Sequence, residues 1–163
     1  MDILRDDQND KPSIIISGWS DGAVRRHHVD DVPIDSHEAL PLNSTVSNDF
    51  PRNVTFLNSL TMIIHMNSGQ LLKIDQKDVS LFYDGRETLT NNYAKMSVAK
   101  EGNECLAVGS LTGGVFIFDR HGTVTNTFQV DINRNNKILQ IFWLNNTLGN
   151  KLLICIPDGI MVR

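Results

Sequence analysis

The chain has 163 residues, enough for one domain on the usual scale of about 150 residues each, with hydrophobic residues at 40% and charged residues at 21%. That balance excludes a disordered polymer, and a formal charge of -4 with a pI near 5.6 argues against a free-standing nucleic-acid binder, which carries a basic surface. Two cysteines, Cys105 and Cys155, cannot build a disulfide framework and read as buried free thiols of a reducing compartment.

In chain order, residues 1–12 read as a polar N-terminal segment with Asp2, Asp6, Asp7 and Asp10, and no secretory signal is expected there. The run Ile14-Ile15-Ile16 then leads to a turn at Asp21-Gly22 and a second run through Val29. Asn53 to Leu57 predicts a strand ahead of Met62-Ile63-Ile64, whose turn glycine is Gly69 and whose second run ends at Asp75. Val79 to Tyr83 predicts a further strand, and residues 84–92 read as loop. Tyr93 to Ala99 and Leu106-Ala107-Val108 precede the turn Thr112-Gly113-Gly114. Val115 to Phe118 follows, then an alternating strand over Thr123 to Val130. Ile138 to Leu144 and Leu152-Leu153-Ile154 lead to the last turn, Asp158-Gly159, and to Ile160 to Val162.

The turn glycines Gly22, Gly69, Gly113 and Gly159 lie 47, 44 and 46 residues apart, a spread too narrow for accidental hairpins. Asp21-Gly22 and Asp158-Gly159 suit tight turns that need positive φ, which glycine tolerates. The flanking runs are β-branched or aromatic and are interrupted too early for helix. Val115-Phe116-Ile117-Phe118 is apolar throughout, as a strand covered on both faces requires. Four short strands per period of about 40–45 residues predict an all-β chain, a partial β-propeller of about three to four four-stranded blades. The predicted blades are a partial one over 13–42, full ones over 52–90 and 93–130, and one over 138–163 that stops inside its third strand.

The third unit, Val108-Gly109-Ser110-Leu111-Thr112-Gly113-Gly114-Val115-Phe116-Ile117-Phe118-Asp119, resembles the end of a WD repeat, with Phe118-Asp119 in place of Trp-Asp. The first, Ser17 to Arg26, is similar over its first nine positions, with His27-His28 at the dipeptide. Ile74-Asp75 stands there in the second, and no Gly-His pair opens a repeat. The resemblance covers residues 13–163. It implies further blades on both sides, because a closed propeller needs about four to eight. The chain is therefore expected to be a piece of a longer protein.

Within the family, the wording from Val24-Arg25 through Leu71-Leu72 to Leu106-Ala107-Val108-Gly109 and Val115 to Phe118 is similar to cytoplasmic scaffolds that partner a tRNA 2′-O-ribose methyltransferase. That similarity implies a non-catalytic, cytoplasmic scaffold that binds the methyltransferase and meets tRNA indirectly, without cofactor. A generic adaptor in ubiquitin ligation, trafficking or signalling is the alternative on the same fold.

Nothing in the sequence assembles catalysis or a metal site. Adjacent residues on a strand face opposite ways, so His27-His28 cannot chelate one ion together. Gly109 to Gly114 lacks the Lys-Ser/Thr of a phosphate loop and is followed by a strand. Arg25-Arg26 makes the one basic cluster, offset by Asp30-Asp31. Trp19 sits in a turn where small residues are usual, and an exposed aromatic is a common interface anchor. In the family, the turn between the two middle strands and the connection between blades line one face. Here that implies a partner-binding face with Trp19, Asp21, Asn67, Ser110, Leu111 and Pro157, beside linkers that carry Arg52 and Arg134. Trp19, Asp21, Arg25, Arg26, Arg52 and Arg134 are the partner-binding candidates.

Overall fold

The computed structural model describes residues 2–5, 12–18, 23–28, 37–40, 49–58, 60–75, 78–89, 95–99, 105–110, 112–130, 138–144 and 151–163. Every regular element among them is a β-strand. The first sheet is β1 (Asp2–Arg5), β2 (Pro12–Gly18), β3 (Val24–His28) and β4 (His37–Leu40). The second is β5 (Pro51–Phe56), β6 (Thr61–Met66), β7 (Leu71–Asp75) and β8 (Asp78–Tyr83). The third is β9 (Lys95–Ala99), β10 (Cys105–Gly109), β11 (Gly114–Phe118) and β12 (Val124–Gln129). The fourth is β13 (Gln140–Leu144), β14 (Lys151–Ile156) and β15 (Gly159–Val162). Each is an antiparallel meander in which neighbours in sequence are neighbours in the sheet.

Two elements go beyond the sequence reading: β4, for which it names no strand inside the partial blade over 13–42, and β1. Residues 2–5, placed there in a polar segment outside the repeat, form β1, which pairs Asp2 with Ile16 and Ile3 with Ile15. A ladder is made by backbone groups, so acidic side chains do not forbid it, and four residues are too few to display a period of two. No helix of the described residues is long and apolar enough to cross a membrane.

The sheets stack through their first strands, β1 against β5, β5 against β9, and β9 against β13. Alternation along each middle strand explains the stacking. Met62, Ile64 and Met66 of β6 join Ile16 and Val24 of the first sheet in one core. Ile63, between them, turns the other way and meets Leu106, Val108 and Phe118 of the third sheet. Ala107 and Val115 face a third core with Ile141, Leu152 and Ile154 of the fourth. The cores therefore lie between sheets. β6 is buried along its whole length because both of its faces are covered. Each fully buried Ile, Leu or Met there contributes about 1.5–3 kcal/mol.

Three of the four repeat glycines fall among the described residues, and all have positive φ: Gly69 at 93°, Gly113 at 87° and Gly159 at 152°. Gly22 lies outside the described residues. A glycine the spacing did not flag, Gly122, has φ of 86° in the β11–β12 turn. A Cβ there would overlap the Phe82 carbonyl oxygen of the neighbouring sheet. Gly122→Ala is expected to cost about 2 kcal/mol, from the left-handed backbone and the displaced contact together. Chemical denaturation of the variant checks it, and an unchanged midpoint would show that the turn does not seat on Phe82.

Candidate partner-binding face

In a four-stranded meander the start of the first strand, the turn between the middle strands and the end of the fourth share one end of the sheet. The second sheet shows how tightly these are bound. Asp49, just before β5, accepts the Ser68 N–H and the Ser68 hydroxyl, both at 2.8 Å, and so fixes the β6–β7 turn. Arg52 donates to Asn67 Oδ1 from Nε at 2.8 Å and from Nη2 at 2.6 Å. Its guanidinium lies 4.5 Å from the centre of the Phe50 ring, a cation–π arrangement. The Asn67 N–H reaches the Phe50 carbonyl at 2.9 Å. Gly85, after β8, lies so close that a Cβ there would overlap the Gly69 carbonyl. Connection and turn form one unit, in which Arg52 and Asn67 are held together.

Beneath this unit lies His65, 1% exposed. Neither ring nitrogen has a hydrogen-bond partner of ordinary geometry. Burial lowers its pKa from 6.5 to about 4; the Leu89 backbone works against that, Arg52 adds to it, and Asp49 opposes it. The imidazole is neutral at physiological pH.

The third sheet repeats the pattern with other groups. Ser110 Oγ accepts the Gly114 N–H at 3.0 Å, and the Val130 N–H reaches the Gly113 carbonyl at 2.9 Å. Gln129 Nε2 donates to the Thr112 carbonyl at 2.6 Å. Ser110 is 1% exposed and holds the turn from inside, so it does not face a partner. In the fourth sheet Pro157, Asp158 and Gly159 form the exposed β14–β15 turn.

At the opposite end, Asp75 accepts the Thr61 hydroxyl and pairs with Lys73 at 2.7 Å. Asp119 accepts the His121 and Thr123 N–H groups at 2.8 and 2.9 Å, and these bonds hold its carboxyl below the usual range. Ile74 and Phe118, at the dipeptide position of the repeat, are fully buried. The residues there are structural, a buried apolar group followed by a turn-closing carboxylate.

The remaining arginines separate. Arg25 is half-buried in β3 and faces away from Val24, which packs toward the second sheet. Arg26 pairs with Ile16 and Glu38 in the ladder. Trp19, Asp21, Leu111 and Arg134 lie outside the described residues. Asp49 escaped the sequence reading because its partner is 19 residues away and no spacing rule links them. No group of three or more His, Cys, Asp or Glu among the described residues is placed to hold a metal. Between the first strands lies a shallow depression of about 220 Å³ lined by Thr55, Ser97, Val98, Gln140 and Phe142. Ser97 Oγ there accepts the Trp143 N–H at 3.1 Å and bridges β9 to β13.

Antiparallel meanders stacked through their first strands, with cores between them, define part of a β-propeller. No family model matches the chain, and no curated protein matches it in sequence. Solved structures do. Two crystal structures of BBS1N in complex with ARL6DN, soaked with lead and with mercury, superpose with TM-scores of 0.74 and 0.71 at 13% and 14% identity. They cover 99% and 98% of this chain and 47% and 46% of theirs, so the chain spans less than half of the BBS1N length. The crystal structure of Chaetomium thermophilum Raptor gives 0.65 at 14% identity, over 92% of this chain and 14% of that one. At such identities the likeness is one of fold.

Proposed function

We propose that the chain is a non-catalytic β-propeller scaffold that binds a protein partner through the end where connections and middle turns meet. The observation that carries this is the Asp49–Ser68 and Arg52–Asn67 bracing, which sets turn and connection into one rigid surface. A preordered surface loses little entropy on binding. The partner-binding candidates Trp19, Asp21, Arg25, Arg26, Arg52 and Arg134 belong to this proposal, with Arg52 best supported by its placement.

The finer reading rests on the resemblance to WD repeat-containing protein 6. On it, the partner is a tRNA 2′-O-ribose methyltransferase in the cytoplasm, and tRNA is positioned through that enzyme. The mixed charge of this end, with Asp49 beside Arg52 and Asp158 in the exposed turn of the fourth sheet, suits an indirect role, since direct phosphate binding calls for a run of positive side chains. The second reading is an adaptor for a different protein, favoured by the fold likeness to BBS1N, which those crystals hold in complex with ARL6DN.

Affinity capture of the natural protein decides between them. The methyltransferase is expected among the captured proteins, and loss of the scaffold is expected to lower anticodon-loop ribose methylation. Intact methylation without the scaffold would transfer the assignment to the adaptor reading.

A further inference from the structure

The fold does not call for a histidine at position 65. Four residues before the turn glycine, the same place in the repeat holds Gly18 in the first sheet, Gly109 in the third and Cys155 in the fourth. At Gly109 a Cβ would overlap the Ile141 side chain, so the third sheet admits no side chain there. A stacked sheet is built with or without a ring at this position. In the second sheet the ring is present and 1% exposed.

The ladder shows what covers it. His65 pairs with Asn53 of β5 and Leu71 of β7. Alternation puts it on the same face as Ile63, toward the core in which Leu71, Leu89 and Met96 pack. The register of β5 shifts between Pro51 and Asn53, so Arg52 is the extra residue of a bulge opposite His65 and Met66. A bulge re-aims its side chain. Here the guanidinium is carried onto Asn67, two residues beyond His65, and Asp49 reaches the next residue, Ser68.

The two side chains that brace the turn are thus the two whose charges act on the ring, Arg52 against its protonated form and Asp49 for it. The segment that carries Leu89 also holds Asp84 and Arg86, paired with each other at 2.6 Å, and the exposed Glu87. Lys95 opens β9 at the same end of the third sheet.

We propose that His65 is an acid-operated release for the braced end. A proton on the buried ring drives Arg52 off Asn67 and draws Asp49 away from Ser68, so the turn opens while the sheets stay stacked. This inference rests on the reading of that end as the partner-binding surface and adds its regulation. An imidazolium here has no water around it. Relief comes from local opening, because a turn at the end of a sheet opens at lower cost than a core strand.

Hydrogen–deuterium exchange of the natural protein tests this without a partner, so its failure leaves the binding proposal to the capture experiment. The Asn67, Ser68 and Gly69 amides, bonded to Phe50, Asp49 and Met66, report the braced turn. The Gly113 and Gly114 amides, held by Ser110 in the third sheet, are the internal control. His65→Gln and His65→Leu are compared with the natural protein at each pH, where the chemical exchange of these amides is the same in all three. As pH falls from 6.5 to 4, the first three amides are expected to exchange several-fold faster in the natural protein than in either variant. Gly113 and Gly114 are expected to stay alike in all three. No acid rise in the natural protein, or one as large in either variant, would overturn the proposal, the latter by assigning the loosening to the carboxyls. A parallel rise at Gly113 and Gly114 would also overturn it, by showing general unfolding.

Discussion

Replacing Phe118 with alanine is expected to destabilise the protein by about 3–5 kcal/mol and to lower its melting midpoint by on the order of 10 °C. The ring is fully buried in the core between the second and third sheets. Its centre lies 4.9 Å from that of Tyr83 in edge-to-face geometry and 5.9 Å from that of Phe82, both on β8 of the neighbouring sheet. Removing it opens a cavity and also breaks the aromatic link between two sheets, worth about 0.5–1.5 kcal/mol per pair. Phe116, stacked 6.4 Å away and only partly buried, is the control. Its alanine variant is expected to lose less, by thermal unfolding followed in the far-ultraviolet. Equal losses would show that Phe118 does not join the sheets.

Acid is expected to act through His65 before it acts through any carboxylate described. The folded pKa of about 4 lies below the unfolded 6.5 because burial disfavours the charged imidazole. Between those values the unfolded chain takes up a proton that the folded one refuses, so stability falls as pH drops from 6.5 toward 4. The loss reaches about 3 kcal/mol at the lower end. Asp75, Asp84 and Asp119 have pKa values lowered from 3.8, so their contribution is present above that value and disappears only as pH falls further. His65→Leu removes the titrating group and keeps a side chain of apolar character in the buried position. Denaturation midpoints of this variant are expected to match or exceed wild type at pH 7 and to decline less between pH 6.5 and 4. An unaltered acid slope in the variant would assign the loss to other groups.

The repeat was legible because its two signals are local. Gly69, Gly113 and Gly159 occur where the backbone needs positive φ, and the runs at β6 and β10 are continuously apolar because sheets cover both faces. What escaped depends on distance along the chain. β1 is defined by pairing with β2 and lying against β5, neither of which four residues can advertise. Ser110 reads as an exposed turn residue in sequence, but its hydroxyl is drawn inward by the Gly114 N–H. Of the candidate face, Arg52 and Asn67 were singled out, while Asp49 and the burial of His65 emerge only when the sheets are stacked.

Because every core is shared by two sheets, each sheet acts as a party wall. A change inside one sheet is therefore felt first by the sheets packed on either side of it, as in other assemblies held by nearest-neighbour contacts. The braced end built on Asp49, Arg52 and Ser68 belongs to the second sheet, flanked by the first and third. Both faces of that sheet are packed, so the surface it carries is held in shape from two sides.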